Sequence, residues 1–226
     1  MLNTDAFRIA TEVDKEISST VEDSGFALPK GSLNFLREVV NRCGVRRVFE
    51  FGSGQSTRIF LETGAGVYSL ENDIRWLGET KKSLPPDLLD HWTPRCESLR
   101  LMFDGISPFL SWKIDEPALE AMRNADLVLI DSPAHPPSRE LALLQTLRSG
   151  CNGLIMVDDL RIPTLERRVQ SIVTCNPEIL YRPLTREHGL GLLQNQRADR
   201  RVVKSNRSIF ETLKSIRLYL SARRGV

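Results

Sequence analysis

The segment Val48-Phe-Glu-Phe-Gly-Ser-Gly-Gln-Ser-Thr57 constrains this chain more than any other. Residues 45–51 are mostly β-branched and aromatic, a composition suited to a buried strand. Gly52 and Gly54 allow a sharp turn and a close backbone approach to a ligand. Ser53, Ser56 and Thr57 add hydroxyls, and a helix starting there presents N–H groups with no intrahelical partner. The pattern is either a ligand loop at the carboxyl end of a strand or a plain βα connection. A Walker-type phosphate loop is excluded, because no Gly-Lys-Ser/Thr closes the turn. A dinucleotide fingerprint is incomplete, since Thr57 stands where its third glycine belongs. Glu50, on the strand just before the turn, disfavours a pyrophosphate and suits a cationic ligand.

Three later segments match. Residues 66–72 are a short apolar run ending in Glu71-Asn72, about 20 residues after the loop, where a ribose-binding acid is expected. Glu71 there either accepts hydrogen bonds from a diol or caps the next helix. Residues 126–131 form an apolar run ending in Asp131, a helix-like stretch covers 138–147, and residues 153–159 end in Asp158-Asp159. Strands alternating with helical stretches imply a parallel sheet covered on both faces. Glu50, Glu71, Asp131, Asp158 and Asp159 then share one rim, which calls for a positive partner such as a sulfonium or a divalent metal.

The segments VFEFGSGQST (48–57), VYSLEND (67–73), ADLVLIDSP (125–133) and GLIMVDDL (153–160) together resemble the class I S-adenosylmethionine-dependent methyltransferases, in their small O-methyltransferase-like group. The resemblance covers roughly residues 30–196. It implies an α/β, Rossmann-like, doubly wound, mostly parallel seven-stranded sheet with an antiparallel last strand. N-terminal helices and a C-terminal helix accompany it. The strands read at 178–183 and 189–194 match its closing hairpin.

Carried over by position, the resemblance implies that Glu50 and Gly52-Ser53-Gly54 line the methionine end of the cofactor. Ser56 and Thr57 would hold its carboxylate, Glu71 its ribose, and Asn72 would lie beside the adenine edge. Glu97 and Ser98, after a third strand at 91–96, would lie by the adenine, although Cys96-Glu97-Ser98 replaces a more usual Gly-Asp. The metal-dependent members imply Mg²⁺ on Asp131, Asp158 and Asp159, a hard oxygen set that could bind a vicinal diol and acidify it. Ser132-Pro133 departs from that pattern. Without a metal, Asp131 faces only the cofactor, Asp158 is a general base and Asp159 caps a helix. Asp158 and His135 are the candidate bases for removing a hydroxyl proton, alongside Asp131 at the transfer site. His188 is a weaker one. Arg139 and Arg161 are either anion-binding groups for an acceptor or surface charges.

The 226 residues suffice for one domain with a sizeable core. No apolar run approaches the roughly 18 residues of a membrane helix, and residues 1–30 lack a signal-peptide pattern. Cys43, Cys96, Cys151 and Cys175 have no metal-type spacing and read as reduced thiols of a cytoplasmic protein.

The ends differ from the middle. Ala6, Ile9, Ala10, Val13, Ile17 and Val21 have helical spacing, and a second helix is expected at 32–43. From Arg197 onward nine Lys or Arg face Asp199 and Glu211, a local charge of +7 that leaves −5 for the rest of a chain of total +2. Ile209, Leu213, Ile216 and Leu220 recur at helical spacing. We therefore divide the chain into a methyltransferase-like domain (1–196) and a basic amphipathic tail (197–226). The tail suits an anionic membrane surface, a protein partner, or packing on its own domain or a twin subunit in a homodimer. Residues 99–125, with Phe103, Phe109 and Trp112, are either a wall for the acceptor or core.

The leading expectation is an enzyme that methylates a hydroxyl of a small-molecule or carbohydrate-like acceptor. A non-catalytic cofactor-binding or assembly protein of the same fold is the alternative. Nucleic acid is not the expected partner: the body is acidic, and Asp131-Ser-Pro-Ala lacks the aromatic residue expected of base amino-methyltransferases.

Overall fold

The computed structural model describes residues 5–17, 28, 30–105, 107–133, 136–184 and 189–196. Two amphipathic helices, α1 (Asp5–Glu16) and α2 (Lys30–Cys43), precede the sheet. Ala6, Ala10 and Val13 put small side chains on one stripe of α1, which lets it lie close against α2. The chain then alternates strand and helix: β1 (Arg47–Phe51), α3 (Gln55–Glu62), β2 (Gly66–Glu71), α4 (Ile74–Ser83), a 3₁₀ turn and β3 (Trp92–Cys96). A hairpin, β4 (Arg100–Asp104) with β5 (Ser107–Ser111), stands apart as its own two-stranded sheet. Next come α5 (Glu116–Arg123), β6 (Leu127–Ile130), α6 (Pro136–Ser149), β7 (Leu154–Val157), α7 (Pro163–Cys175), β8 (Ile179–Leu184) and β9 (Leu190–Asn195).

The main sheet has seven strands in the order β3-β2-β1-β6-β7-β9-β8. All of its pairings are parallel except those of β9, which runs against both β7 and β8. This is the expected parallel sheet with a reversed last strand. Both faces are covered. Leu127, Leu129, Leu154 and Met156 enter one core with Val39, Phe60 and the α1 stripe; Val128, Ile130, Ile155 and Val157 enter the other with Leu143, Leu147 and Val169. The period-2 alternation of these all-apolar strands is why they read as continuous hydrophobic runs.

The hairpin settles the alternatives left open for residues 99–125. Phe109 and Trp112 are core, and Trp112 packs against Phe51. Phe103, by contrast, is 63% exposed. The basic tail, its proposed helix, His135 and His188 lie outside the described residues. Among the described residues no helix is long and apolar enough to cross a membrane.

Candidate functional site

The chain leaves β1 for β2 and β3 on one side, then returns to β6 on the other. The order reverses between β1 and β6, and in open α/β sheets the carboxyl ends of the strands at such a point are where ligands bind. The glycine loop lies there. Gly52, at φ 104°, donates its N–H to the Leu70 carbonyl at 2.7 Å, and a Cβ on it would stand 3.0 Å from Ser132 Cβ in the loop after β6. Gly54 starts α3 at φ 156° and ψ −133°, a conformation that strains residues with a side chain.

Glu50 is the hub beneath this loop. It is 1% exposed, yet its carboxylate accepts hydrogen bonds from Thr57 Oγ1 (2.5 Å), Ser69 Oγ (2.6 Å) and Ser56 Oγ (3.1 Å). Trp92 Nε1 donates to Ser69 Oγ at 2.7 Å, so one polar chain crosses β3, β2 and β1 to reach α3. Burial pushes the Glu50 carboxyl up to about 7, against the pull of the three hydroxyls. The hydroxyls of Ser56 and Thr57 therefore face inward. A ligand carboxylate above the loop is left to the backbone N–H groups at the start of α3.

Glu71, at the tip of β2, ties two elements together. One oxygen accepts from the backbone N–H and hydroxyl of Ser53 (3.1 and 3.2 Å), the other from the N–H groups of Asn72 and Asp73 (2.7 and 3.0 Å). The cap of α4 is Asp73, which accepts from the N–H groups of Arg75 and Trp76. Asn72 is exposed beside it. After β3, Glu97 pairs with Arg100 at 3.0 Å, and its N–H donates to the Glu71 carbonyl at 2.9 Å; Ser98 is exposed.

Sequence reasoning missed Trp76. Its indole N–H donates to the Ser53 carbonyl at 2.5 Å, and its ring lies 3.6 Å from where a Gly54 Cβ would be. The available signal was its position three residues after the Asp73 cap, on the turn of α4 nearest the loop.

The structure brings Asp131, Asp158 and Asp159 together beyond β6 and β7, as expected, but around Arg139. The guanidinium, on the first turn of α6, donates from Nη1 to Asp159 Oδ2 (2.7 Å) and the Asp158 carbonyl (3.1 Å). Its Nε donates to the Pro133 carbonyl (3.0 Å), and its Nη2 reaches Asp131 Oδ1 (3.5 Å). Arg139 is only 5% exposed, so the surface-charge reading fails for it, while Arg161 is exposed. The Mg²⁺ expectation meets the same obstacle: a fixed cation already fills the space between the carboxylates, and the residues do not fit a divalent ion. Among the described residues no group of three acidic, His or Cys side chains is arranged to hold a metal. Asp159 sits at φ 64° in a turn and does not cap α7, whose N-cap is Ile162. Asp158 is buried, its Oδ1 has no hydrogen-bond partner, and burial followed by the Asp131 charge pushes its carboxyl well above the usual range.

The rim thus offers a close-packed glycine turn, a carboxylate at a strand tip suited to a diol, and buried acids suited to a cationic ligand. No family model and no curated protein matches the chain. Solved structures of similar shape do. Cofactor-bound Rv0187 from MTB superposes with a TM-score of 0.57 at 17% identity, covering 86% of this chain and 91% of its own. The O-methyltransferase from Bacillus cereus in complex with SAH gives 0.56 at 15%, covering 85% and 91%. The SAH-bound Podospora anserina methyltransferase PaMTH1 gives 0.56 at 14%, covering 86% and 89%. The chain has the fold of the class I S-adenosylmethionine-dependent methyltransferases.

Proposed function

We propose that this protein transfers the methyl group of S-adenosylmethionine to a hydroxyl of a small-molecule or sugar-like acceptor. The observation that carries the reading is the junction of the glycine loop with Glu71 at the switch point of the sheet. It is supported by the SAH and O-methyltransferase descriptions of the structural neighbours. When bound, the cofactor supplies an electrophilic methyl group on a sulfonium. Glu71 holds the ribose diol by exchanging the donors of Ser53 for the two ribose hydroxyls. The N–H groups at the start of α3 take the amino-acid carboxylate, and Glu50 and Asp131 favour the positive charge. The acceptor oxygen would be held at about 3–3.5 Å from that methyl group and in line with it. Its proton passes to the unpartnered oxygen of Asp158, whose raised pKa makes its carboxylate the stronger base.

Calorimetric titration with S-adenosylmethionine tests the reading, and absence of saturable binding defeats it. A non-catalytic, cofactor-binding role is the second reading. Glu71 favours it, because its lone pairs are already engaged within the protein. A methylated product formed in cell extract and lost in Asp158→Asn would rule that out.

A further inference from the structure

We infer that Arg139 is the resident cation of the acid rim, so that the site works without a divalent metal and takes its acceptor through a single hydroxyl. A chelating vicinal diol is then not required. The inference deepens the methyl-transfer reading and, for its substrate part, rests on it. The metal part stands on geometry alone.

Magnesium needs oxygen ligands converging at about 2.0–2.1 Å and a nearly octahedral shell. Here the side-chain oxygens of Asp131 and Asp159 converge on nitrogen atoms of one guanidinium, at 3.5 and 2.7 Å. The backbone carbonyls of Pro133 and Asp158, at 3.0 and 3.1 Å, fix the same group from its other edges. A planar fork held by four acceptors and sealed at 5% exposure is preorganised and costly to displace. A divalent ion held by these same oxygens would be repelled by the guanidinium at short range. The placement is set by the chain: α6 begins just after the β6 loop, and Arg139, on its first turn, faces the tips of both β6 and β7. A metal would present two coordination positions to an acceptor and select adjacent hydroxyls. A guanidinium whose strongest donors are spent on the protein has no such preference, and acceptor placement falls to Asp158 and the surrounding wall.

The test is Mn²⁺ binding to the full-length chain, read by the loss of free-ion electron paramagnetic resonance signal, in wild type, Arg139→Lys, Arg139→Met and Arg139→Met/Asp159→Asn. Wild type and Arg139→Lys are expected to show no saturable site up to about 1 mM. Arg139→Met is expected to gain one site, at least tenfold tighter than that limit, and to lose it again in the double variant. One Mn²⁺ site in wild type that Asp159→Asn removes overturns the inference, and that comparison decides even if Arg139→Met fails to fold. A folded Arg139→Met that gains no site also overturns it. S-adenosylmethionine affinity, measured on the same wild-type sample in chelator and in Mn²⁺, is expected to be equal. Failure to bind S-adenosylmethionine in both would defeat the methyl-transfer reading while leaving the metal result standing. For the substrate part, extract methylated in chelator is expected to yield products lacking an adjacent free hydroxyl; products confined to vicinal diols would overturn it.

Discussion

Glu71 at the end of β2 receives both the backbone N–H and the hydroxyl of Ser53 from the loop after β1. One carboxylate therefore sets the height of the glycine loop above the sheet and, in the proposed function, is also the group that takes the ribose. Glu71→Gln keeps one acceptor oxygen but loses the charge that strengthens these bonds. S-adenosylmethionine affinity is expected to fall about 10- to 100-fold, the worth of a charge-assisted hydrogen-bond pair of roughly 1.5–3 kcal/mol. Calorimetry reads the change; unaltered affinity would remove Glu71 from the site.

Gly54→Val should abolish cofactor binding. A side chain at φ 156° and ψ −133° costs about 1–3 kcal/mol of backbone strain. The Cβ itself meets only the Trp76 ring, at an ordinary 3.6 Å, so backbone strain leads, and the branched methyls then crowd the ligand space above the loop. Gly54→Ala is expected to show the strain without that crowding, and so a smaller loss of affinity. Wild-type affinity in a folded Gly54→Val would displace the ligand from this loop.

Glu50 gives stability a pH dependence of definite sign. Its folded-state pKa of about 7 lies above the ordinary 4.5, so the folded protein binds the extra proton. The stabilising protonation is present in full below about 4.5 and is lost as pH rises towards 7, a loss on the order of 3 kcal/mol. The difference in urea midpoint between wild type and Glu50→Gln should therefore shift in favour of the variant between pH 5 and pH 8. A difference that is flat over that range would show that the carboxyl is ionised throughout.

The same acids should distinguish a sulfonium from a thioether. The positive charge of S-adenosylmethionine favours the ionised form of Glu50, whose pKa lies at about 7, so its affinity relative to S-adenosylhomocysteine should rise with pH between 6 and 8. Calorimetry in buffers of different ionisation enthalpy should register net proton release with the sulfonium ligand only. Equal proton release with both would place the charge away from the rim.

Trp76 is an optical reporter. It is 45% exposed, whereas Trp92 and Trp112, the other two tryptophans, are buried. Ligand binding at the Ser53 loop is expected to change tryptophan emission, and Trp76→Phe to abolish that change while leaving the protein folded. A ligand-dependent signal that persists in the variant would assign it to a movement of the buried rings.

Much of this protein was determined by the sequence alone. Runs such as 127–130 and 154–157 read as buried strands, because they are too short for a helix and their unbroken apolar character needs cover on both faces. The Gly52–Gly54 turn and the acids at each strand tip are local features, legible because side-chain chemistry and backbone freedom act over a few residues. The 178–183 and 189–194 segments read as strands for the same reason, while their antiparallel pairing was what the family resemblance implied.

What only the tertiary structure decided depends on how strand ends, loops and helix starts pack against one another. Three carboxylates at the ends of two strands look alike whether they await a metal or already hold a cation. Arg139, eight residues beyond Asp131 and twenty before Asp159, could be read as a surface charge until the first turn of α6 carried it between them. Ser56 and Thr57 likewise looked free to meet a ligand, until Glu50 on the neighbouring strand claimed their hydroxyls. A buried carboxylate must find donors or give up its charge, and which donors it finds is a matter of packing, not of spacing.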